Sequence, residues 1–268
     1  NVEFATQVGT DPLSDDMLDL FDSEDIGQRY ITRSETKVPG LYWITTDNAG
    51  ERTFTYWRDD SAARYHMESI DEGLMAQILN ADYVFLSGIS LAVIKPSLRE
   101  HFWQLIERAK TNGVQIIFDP NYRARLWATE QEVKTQYQKA FELSDIVLPG
   151  IEDLSDLYGL EDVDSVIKFF EPYQLTELVI KNGPETVVTV QNGKVSHISI
   201  EPVKQVVDTT SAGDSFNGAY LGARMSNLSV EHSVELAAKV AGFVIQHPGA
   251  IIDKQTFSQF KALLEVFE

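Results

Sequence analysis

The sequence contains no cysteine and few basic residues. Without cysteine the chain cannot form disulfide bonds, cysteine zinc sites or a thiol nucleophile. Its 22 lysines and arginines stand against 41 aspartates and glutamates, which gives a formal net charge of −19. A chain this acidic repels both a nucleic-acid backbone and an anionic membrane surface. We therefore expect neither nucleic acid nor a membrane as a partner.

Several common signatures are also missing. No apolar run approaches the roughly 18 residues of a membrane span. There is no Gly-x-Gly-x-x-Gly fingerprint and no Gly-x-x-x-x-Gly-Lys-[Ser/Thr] loop, and the five histidines lack metal-ligand spacing. The chain begins without methionine and without a signal-peptide pattern. We expect a cytoplasmic protein from which an N-terminal piece is missing.

What is present is the pattern of a globular enzyme, with 43% hydrophobic residues in 268. From about residue 60 onward, apolar strands alternate with amphipathic helices. The run Tyr83–Leu86 predicts a buried strand, and Asn192-Gly193 predicts a hairpin turn. After residue 208 the chain is mostly helical in pattern. Such alternation predicts an α/β fold with a mainly parallel central sheet covered by helices on both faces.

A β-rich stretch from about 28 to 58 precedes this alternation. The strand Leu41–Thr46 and the strand 51–57 flank a turn signal at 47–50, which predicts a hairpin. The aromatic residues of the hairpin suggest that a ligand, a partner or another layer covers both of its faces.

The most informative segment runs from Val206 to Gly218. It reads as a strand end, then a turn of small residues, then a helix that has Asp214 in its first turn. The N–H groups at the start of a helix attract anions, so this turn suits a phosphoryl group. Asp214 would then be the base for a hydroxyl nucleophile. The alternative is that Asp214 only stabilises the start of the helix.

The segment Asp208–Gly218 closely resembles the C-terminal signature of the ribokinase-like (phosphofructokinase B) sugar kinases. The resemblance implies a three-layer α/β/α sandwich, with a core at residues 1–27 and 60–268 and a small β-sheet lid at 28–59. It implies that Asp214 is the catalytic base and contacts the substrate. The backbone of Ser211, Ala212, Gly213 and Asp214 would form the anion hole for the γ-phosphate, and Asp208 and Thr210 would help to bind a monovalent cation such as K⁺.

Further stretches at 39–42, 50–58 and 118–127 are similar to the members of this family that act on the sugar acid 2-keto-3-deoxygluconate. The resemblance implies that Tyr42, Tyr56, Arg58 and Arg123 contact the sugar acid, and that Asn121 and Arg123 lie near the nucleotide. Arginine suits a carboxylate because its planar fork matches the two oxygens. Taken alone, Arg58 could be a surface ion-pair residue, and the two tyrosines could be packing across the hairpin.

Two more stretches resemble nucleotide and metal segments of the family. Lys181, Gly183 and Thr186 fall where the family has Lys-x-Gly-x-x-Gly near the nucleotide, with Thr186 in place of the second glycine. The segment Gly150–Asp153 stands where the family often carries the Asn-x-x-Glu that organises magnesium. An ordinary strand end and turn is the alternative at Lys181.

The resemblance therefore predicts a carbohydrate kinase that uses ATP and Mg²⁺ to phosphorylate the terminal hydroxyl of 2-keto-3-deoxygluconate. Two alternatives stay open. One is another sugar kinase of the fold, such as a fructokinase or ribokinase, and the other is an inert binding protein derived from a kinase. Exposed aromatic residues on the hairpin predict a homodimer, or a higher homo-oligomer, that assembles through the lid.

Overall fold

The computed structural model describes residues 1–46, 52–184 and 186–265. The chain divides into two compact units. The first comprises Asn1–Asp119 with Arg123–Ser144, and the second comprises Pro120–Tyr122 with Asp145–Glu268. The predicted turn at 47–50 lies outside the described residues. The described helices include none that is long and apolar enough to cross a membrane.

The first unit contains three pairs of strands and five α-helices among its described residues. Strand β1 pairs in parallel with β2, β3 pairs with β4 in antiparallel, and β5 pairs in parallel with β6. The elements are β1 Glu3–Gly9, α1 Pro12–Ser23, β2 Gly27–Ser34, β3 Leu41–Thr46, β4 Arg52–Trp57, α2 Glu72–Ile78, β5 Tyr83–Ser87, α3 Gly88–Val93, α4 Arg99–Thr111, β6 Gln115–Asp119 and α5 Glu130–Leu143. Short 3₁₀ helices span Ala62–Glu68, Pro96–Leu98 and Ala124–Leu126.

One part of the core of this unit lies between β6 and helix α5. The Phe118 ring packs edge-on against Tyr137 and Phe141, with centroids 5.2 and 5.5 Å apart. All three side chains are at most 1% exposed. Burial of three aromatic side chains fixes the end of β6, from which the loop of residues 120–127 departs.

Strand β5 corrects one expectation. The run Tyr83–Leu86 does form a strand, but Tyr83 and Phe85 are 38% and 48% exposed. Only Leu86 of this run is buried. A run of apolar residues predicts a strand well, but it does not reveal whether both faces of that strand are covered.

The second unit joins its strands as β7-β8-β9-β10. Strands β7 and β8 are parallel, and β8, β9 and β10 are successively antiparallel. Asn192 and Gly193 link β9 to β10 with positive φ angles of 51° and 75°, which confirms the predicted hairpin turn. The elements are β7 Ile146–Val147, α6 Ile151–Tyr158, α7 Val163–Phe170, β8 Glu177–Asn182, β9 Thr186–Gln191, β10 Lys194–Ser199, α8 Ala212–Met225, α9 Val230–Val244 and α10 Lys254–Glu265.

Helix α8 is anchored within this unit by a polar cluster. The Glu177 carboxylate, which is buried, accepts hydrogen bonds from Tyr220 Oη at 2.6 Å and Arg224 Nε at 3.1 Å. Tyr220 and Arg224 lie on α8, while Glu177 begins β8. The cluster therefore fixes the helix whose first turn carries Asp214.

Candidate active site

Each strand of the β3–β4 hairpin places one tyrosine opposite the other. Tyr42 and Tyr56 are cross-strand partners, and their ring centroids lie 6.1 Å apart. The packing alternative raised for this pair is thus observed, and it leaves Tyr42 about half exposed. The predicted contact with a substrate stays a prediction.

Arg58 follows β4 and lies back against the hairpin. Its guanidinium carbon is 4.6 Å from the centroid of the Tyr56 ring, a cation–π geometry. A Cβ atom on Gly40 would lie 2.9 Å from the Cβ of Arg58, so glycine is needed where the two segments approach. The start of the hairpin thus fixes where Arg58 lies.

The loop after β6 carries a second arginine to the same ring. Arg125 lies in the 3₁₀ turn Ala124–Leu126, and its guanidinium carbon is 4.3 Å from the Tyr56 centroid. Arg123, predicted as a substrate ligand, is exposed at the start of this turn. Trp127 anchors the turn because its buried ring contacts Tyr137, with centroids 6.0 Å apart.

In the second unit, Asp153 holds the backbone of residues 120–122. Its Oδ1 accepts a hydrogen bond from the Tyr122 amide at 3.0 Å. Asn121, predicted to lie near the nucleotide, has a positive φ of 35° beside this contact. The 150–153 segment stands where the family often carries its magnesium-organising segment; the observed contact gives Asp153 a structural role, and that contact does not test a part in organising Mg²⁺.

The turn before α8 departs from the prediction in one respect. Val206, Val207 and Asp208 do not form a strand; β10 ends at Ser199, and the amides of Val207 and Asp208 donate to the Ile245 carbonyl at 2.8 and 3.1 Å. The two valines are typical of a strand in sequence, but the backbone amides of this segment donate to the end of α9 and not to a neighbouring strand. The approach to the turn is therefore held by a helix.

The Asp208 side chain stabilises this turn by accepting hydrogen bonds. Its buried carboxylate accepts hydrogen bonds from the amide and hydroxyl of Thr210, at 3.0 and 2.7 Å, and from the Gly249 amide at 2.8 Å. These contacts tie the turn to the segment that follows α9. Whether Asp208 and Thr210 also bind a cation stays a prediction.

Ser211 gives the start of α8 an unusual backbone. It has a left-handed φ of 61° and precedes the helical Ala212. Successive amides in a left-handed and then right-handed arrangement form a concave anion-binding nest. The Ala212 amide donates to the Thr209 carbonyl at 3.2 Å, whereas the amides of Gly213 and Asp214 donate to no acceptor in the described parts of the chain. Two open N–H groups therefore remain at the predicted anion hole.

Two polar groups flank these amides. The Asp214 side chain is exposed in the first turn of α8, as predicted. Lys181 Nζ, at the end of β8, donates to Oδ1 of the buried Asn217 at 3.1 Å. A Cβ atom on Gly213 would lie 3.8 Å from Lys181 Nζ, so the ammonium sits beside the helix start. One corner of the second unit thus combines a carboxylate, an ammonium and open amides.

Gly183 and Thr186 lie on the turn that joins β8 to β9. Gly183 has a φ of 68°, a conformation that favours glycine. Thr186 begins β9 and pairs with Asn182 across the hairpin. The structure therefore explains Gly183 by the backbone of the turn, and the nucleotide contact of both residues stays a prediction.

Two residues of these clusters escaped the sequence analysis. Arg125 lies only two positions from Arg123, but nothing in the sequence says which of the two reaches the hairpin. Asn217 is part of the 208–218 segment, and its side chain is one helical turn from Gly213 on α8. A helical-wheel comparison of Gly213 and Asn217 is the one signal that could have found it.

A family profile described as "pfkB family carbohydrate kinase" matches residues 1–256 of the chain. The 2-dehydro-3-deoxygluconokinase of Escherichia coli is 39% identical over 258 residues, which are 95% of this chain and 84% of that protein. The 2-dehydro-3-deoxygluconokinase of Dickeya dadantii is 38% identical over 94% of this chain and 83% of its own length.

Solved structures show the same fold. The PfkB protein of Polaromonas sp. JS666 has a TM-score of 0.83 at 22% identity, over 96% of this chain and 83% of its own. A ribokinase II from E. coli, in complex with ATP and Mg²⁺, has a TM-score of 0.78 at 21% identity, over 92% of this chain and 78% of its own. These likenesses confirm the predicted ribokinase-like fold.

Proposed function

This chain belongs to the pfkB family of carbohydrate kinases, and from that premise we propose that it transfers the γ-phosphoryl group of ATP to 2-dehydro-3-deoxygluconate. The alternative name of this sugar acid is 2-keto-3-deoxygluconate. The observation that carries the proposal is the identity of 39% over 95% of the chain with the E. coli kinase of that name. The arginines around Tyr56 support an acidic substrate, because guanidinium groups match carboxylates.

We assign the recognition of the sugar acid to the hairpin and to the loop after β6. Arg58 and Arg123 bind the carboxylate, and Tyr42 and Tyr56 offer hydroxyl groups and ring faces to the carbon skeleton. A neutral sugar has no use for this positive charge. Discrimination between acid and neutral sugars should therefore depend on the arginines.

The transfer step is assigned to the first turn of α8. Asp214 accepts the proton of the terminal, sixth-carbon hydroxyl as its oxygen forms a bond to the γ-phosphorus, and the bond from phosphorus to ADP breaks. The open amides of Gly213 and Asp214 and the Lys181 ammonium stabilise the charge on the transferred group. Positioning and charge stabilisation supply most of the rate in such a loose transition state.

The remaining nucleotide contacts follow the resemblance. We assign Asn121, Arg123, Gly183 and Thr186 to ATP, with the backbone of the turn from Ser211 as the phosphate cradle. Among the residues described, no group of three or more histidines, aspartates and glutamates could hold a metal. We assign Mg²⁺ to the phosphates of ATP, because this ion binds mainly to phosphates and water and neutralises their charge.

We further assign a monovalent cation such as K⁺ to the Asp208 and Thr210 turn, and a cytoplasmic location to an enzyme that consumes ATP. The cation assignment has a direct readout, since replacing K⁺ by a bulky organic cation should lower turnover. Equal turnover in both salts would refute it.

The decisive experiment measures ADP release over a panel of sugars and sugar acids. We expect 2-dehydro-3-deoxygluconate to be the best acceptor, ahead of fructose and ribose. Arg58→Ala should raise KM for the acid strongly and KM for a neutral sugar little. A better turnover of neutral sugars would favour a fructokinase or ribokinase, and no transfer to any acceptor would favour an inert binding protein.

A further inference from the structure

The Tyr56 ring is the point at which two arginines meet. The Arg58 and Arg125 guanidinium carbons lie 4.6 and 4.3 Å from its centroid. One arginine comes from the end of the hairpin, and the other comes from the turn after β6. The ring therefore holds two cationic groups from distant parts of the sequence in one small region of the first unit.

This arrangement carries an electrostatic cost. Since both carbons lie within 4.6 Å of one centroid, they are less than about 9 Å apart, a distance at which like charges still repel at moderate ionic strength. The cation–π contacts offset part of that repulsion. A bound anion between the two groups would remove it.

Among the carboxylates that the structure describes, none serves as that anion. In the described residues of this chain, neither Arg58 nor Arg125 forms an ion pair, although the net charge is −19. Arg99 shows the contrast. It also lies over an aromatic ring, 4.9 Å from the Trp127 centroid, but its guanidinium pairs with Glu132. The charge of Arg99 is thus neutralised by a carboxylate of the chain, whereas the charges of the two arginines at Tyr56 are not.

We propose that Arg125 is a specificity-determining residue that binds the carboxylate of the sugar acid together with Arg58. This inference rests on the proposed function and deepens it. The carboxylate would accept hydrogen bonds from both guanidinium groups, while Tyr56 keeps them apart and oriented. A neutral sugar leaves the two positive charges without an anion between them. The acid is therefore favoured by its hydrogen bonds to the arginines and by the loss of the repulsion between them.

The test compares two acceptors that differ only at the first carbon. 2-Dehydro-3-deoxygluconate carries a carboxylate there, and 3-deoxyfructose carries a hydroxymethyl group. Replacement of Arg125 by methionine, which keeps an unbranched apolar stem but removes the guanidinium group, should raise KM for the acid about ten- to a hundredfold, as expected for a lost charge-assisted hydrogen bond. Turnover at saturating acid and KM for the neutral ketose should change less than about twofold. If the ketose turns over too slowly, its inhibition constant gives the same comparison.

Two further variants sharpen the result. Arg125→Lys restores the charge but not the fork, so it should recover part of the lost affinity for the acid. Arg108→Met is the matched control, because Arg108 is an exposed arginine of the same unit, on α4, which pairs with Glu72 on α2. It should leave both KM values unchanged.

The possible results distinguish a failure of the inference about Arg125 from a failure of the proposed function. Equal effects of Arg125→Met on acid and ketose, or no effect on either, would overturn the inference and leave Arg125 as a packing residue. A wild-type chain that fails to phosphorylate the acid would instead refute the proposed function. A wild-type chain that succeeds, with an acid-specific loss in Arg125→Met, supports both.

Discussion

At the scale of single residues, Asp214 has two candidate roles that one pair of substitutions separates. As a base, it must accept a proton, so Asp214→Asn should lower turnover by about two orders of magnitude or more while ATP binding is kept. As a helix-start residue, it contributes only a favourable charge near the N-terminus. Turnover and ATP affinity of the purified variant decide between the two roles.

Asp164 supplies the control for this experiment. It is likewise an exposed aspartate in the first turn of a helix, α7, and it lies outside the candidate site. Asp164→Asn should lower stability by about 0.5 kcal/mol and leave turnover unchanged. If both variants behave alike, the assignment of Asp214 as the base is wrong.

Site residues could be predicted where their interactions are with neighbours in sequence, and could not where their partners are distant in sequence. Asp214 could be placed in a first helical turn because the small residues before it and the helical pattern after it are neighbours in sequence. Arg125 contacts Tyr56 and Asn217 contacts Lys181, and each of these partners is distant in sequence and close only in the fold. The left-handed backbone of Ser211 also escapes prediction, since serine rarely adopts it.

At the scale of secondary-structure elements, α8 depends on the carboxylate of Glu177. The carboxylate raises the pKa of the Arg224 guanidinium by its hydrogen bond, and burial raises the pKa of the Tyr220 hydroxyl. Glu177→Gln leaves a partly buried guanidinium without its anion and should lower the free energy of unfolding by about 3 kcal/mol. Urea unfolding followed by circular dichroism measures the loss.

Tyr220→Phe is the matched comparison for this cluster. It removes one hydroxyl donor and keeps the ring and the ion pair, so the loss should be about 1 kcal/mol. A loss in Tyr220→Phe as large as that in Glu177→Gln would show that the ion pair contributes little.

Elements whose signals are local were predictable from sequence. The β9–β10 turn was predicted from Asn192-Gly193, and it is observed. The segment 206–208 was wrongly predicted as a strand because two valines favour a strand wherever they occur. Its hydrogen bonds to Ile245 depend on the packing of α9, which local periodicity does not contain.

At the scale of the whole molecule, His66 makes stability depend on pH. Its side chain is buried, its Nε2 atom finds no hydrogen-bond partner in the part of the chain that the structure describes, and burial lowers the pKa to about 4 from 6.5. Between these two values the unfolded chain binds a proton that the folded chain does not. Stability is therefore fully present above pH 6.5 and falls by up to about 3 kcal/mol as the pH drops to 4.

The measurement is the free energy of unfolding at pH 7.5, 6 and 5 for the wild type and for His66→Gln. Carboxylates elsewhere contribute the same pH dependence to both proteins, so the difference between the slopes isolates His66. The wild type should lose more stability on acidification than the variant. Parallel slopes would contradict the prediction.

The hairpin β3–β4 sets the expectation for assembly. Among its described side chains, Leu41, Trp43 and Trp57 are 48%, 64% and 59% exposed, which is unusual for large apolar residues clustered on one small sheet. We expect a homodimer in which these hairpins cover each other. Light scattering should report twice the chain mass for the wild type and the monomer mass for Trp43→Glu.

Val195→Glu provides the control for assembly. Val195 is an apolar residue of the second unit, on β10, and it is 42% exposed. This variant should keep the dimer. A wild type that scatters as a monomer, or a Val195→Glu variant that dissociates equally, would argue against assembly through the hairpin.

The left-handed Ser211 has a consequence for anyone who wishes to make this protein more heat-resistant. A non-glycine residue in that conformation costs about 1 kcal/mol, so glycine at this position should raise the melting temperature. The same Ser211→Gly substitution also makes the backbone that forms the anion-binding turn more flexible. A higher melting temperature from glycine at residue 211 would thus come with a less rigid anion site. Screens that select for melting temperature alone would favour the less active chain.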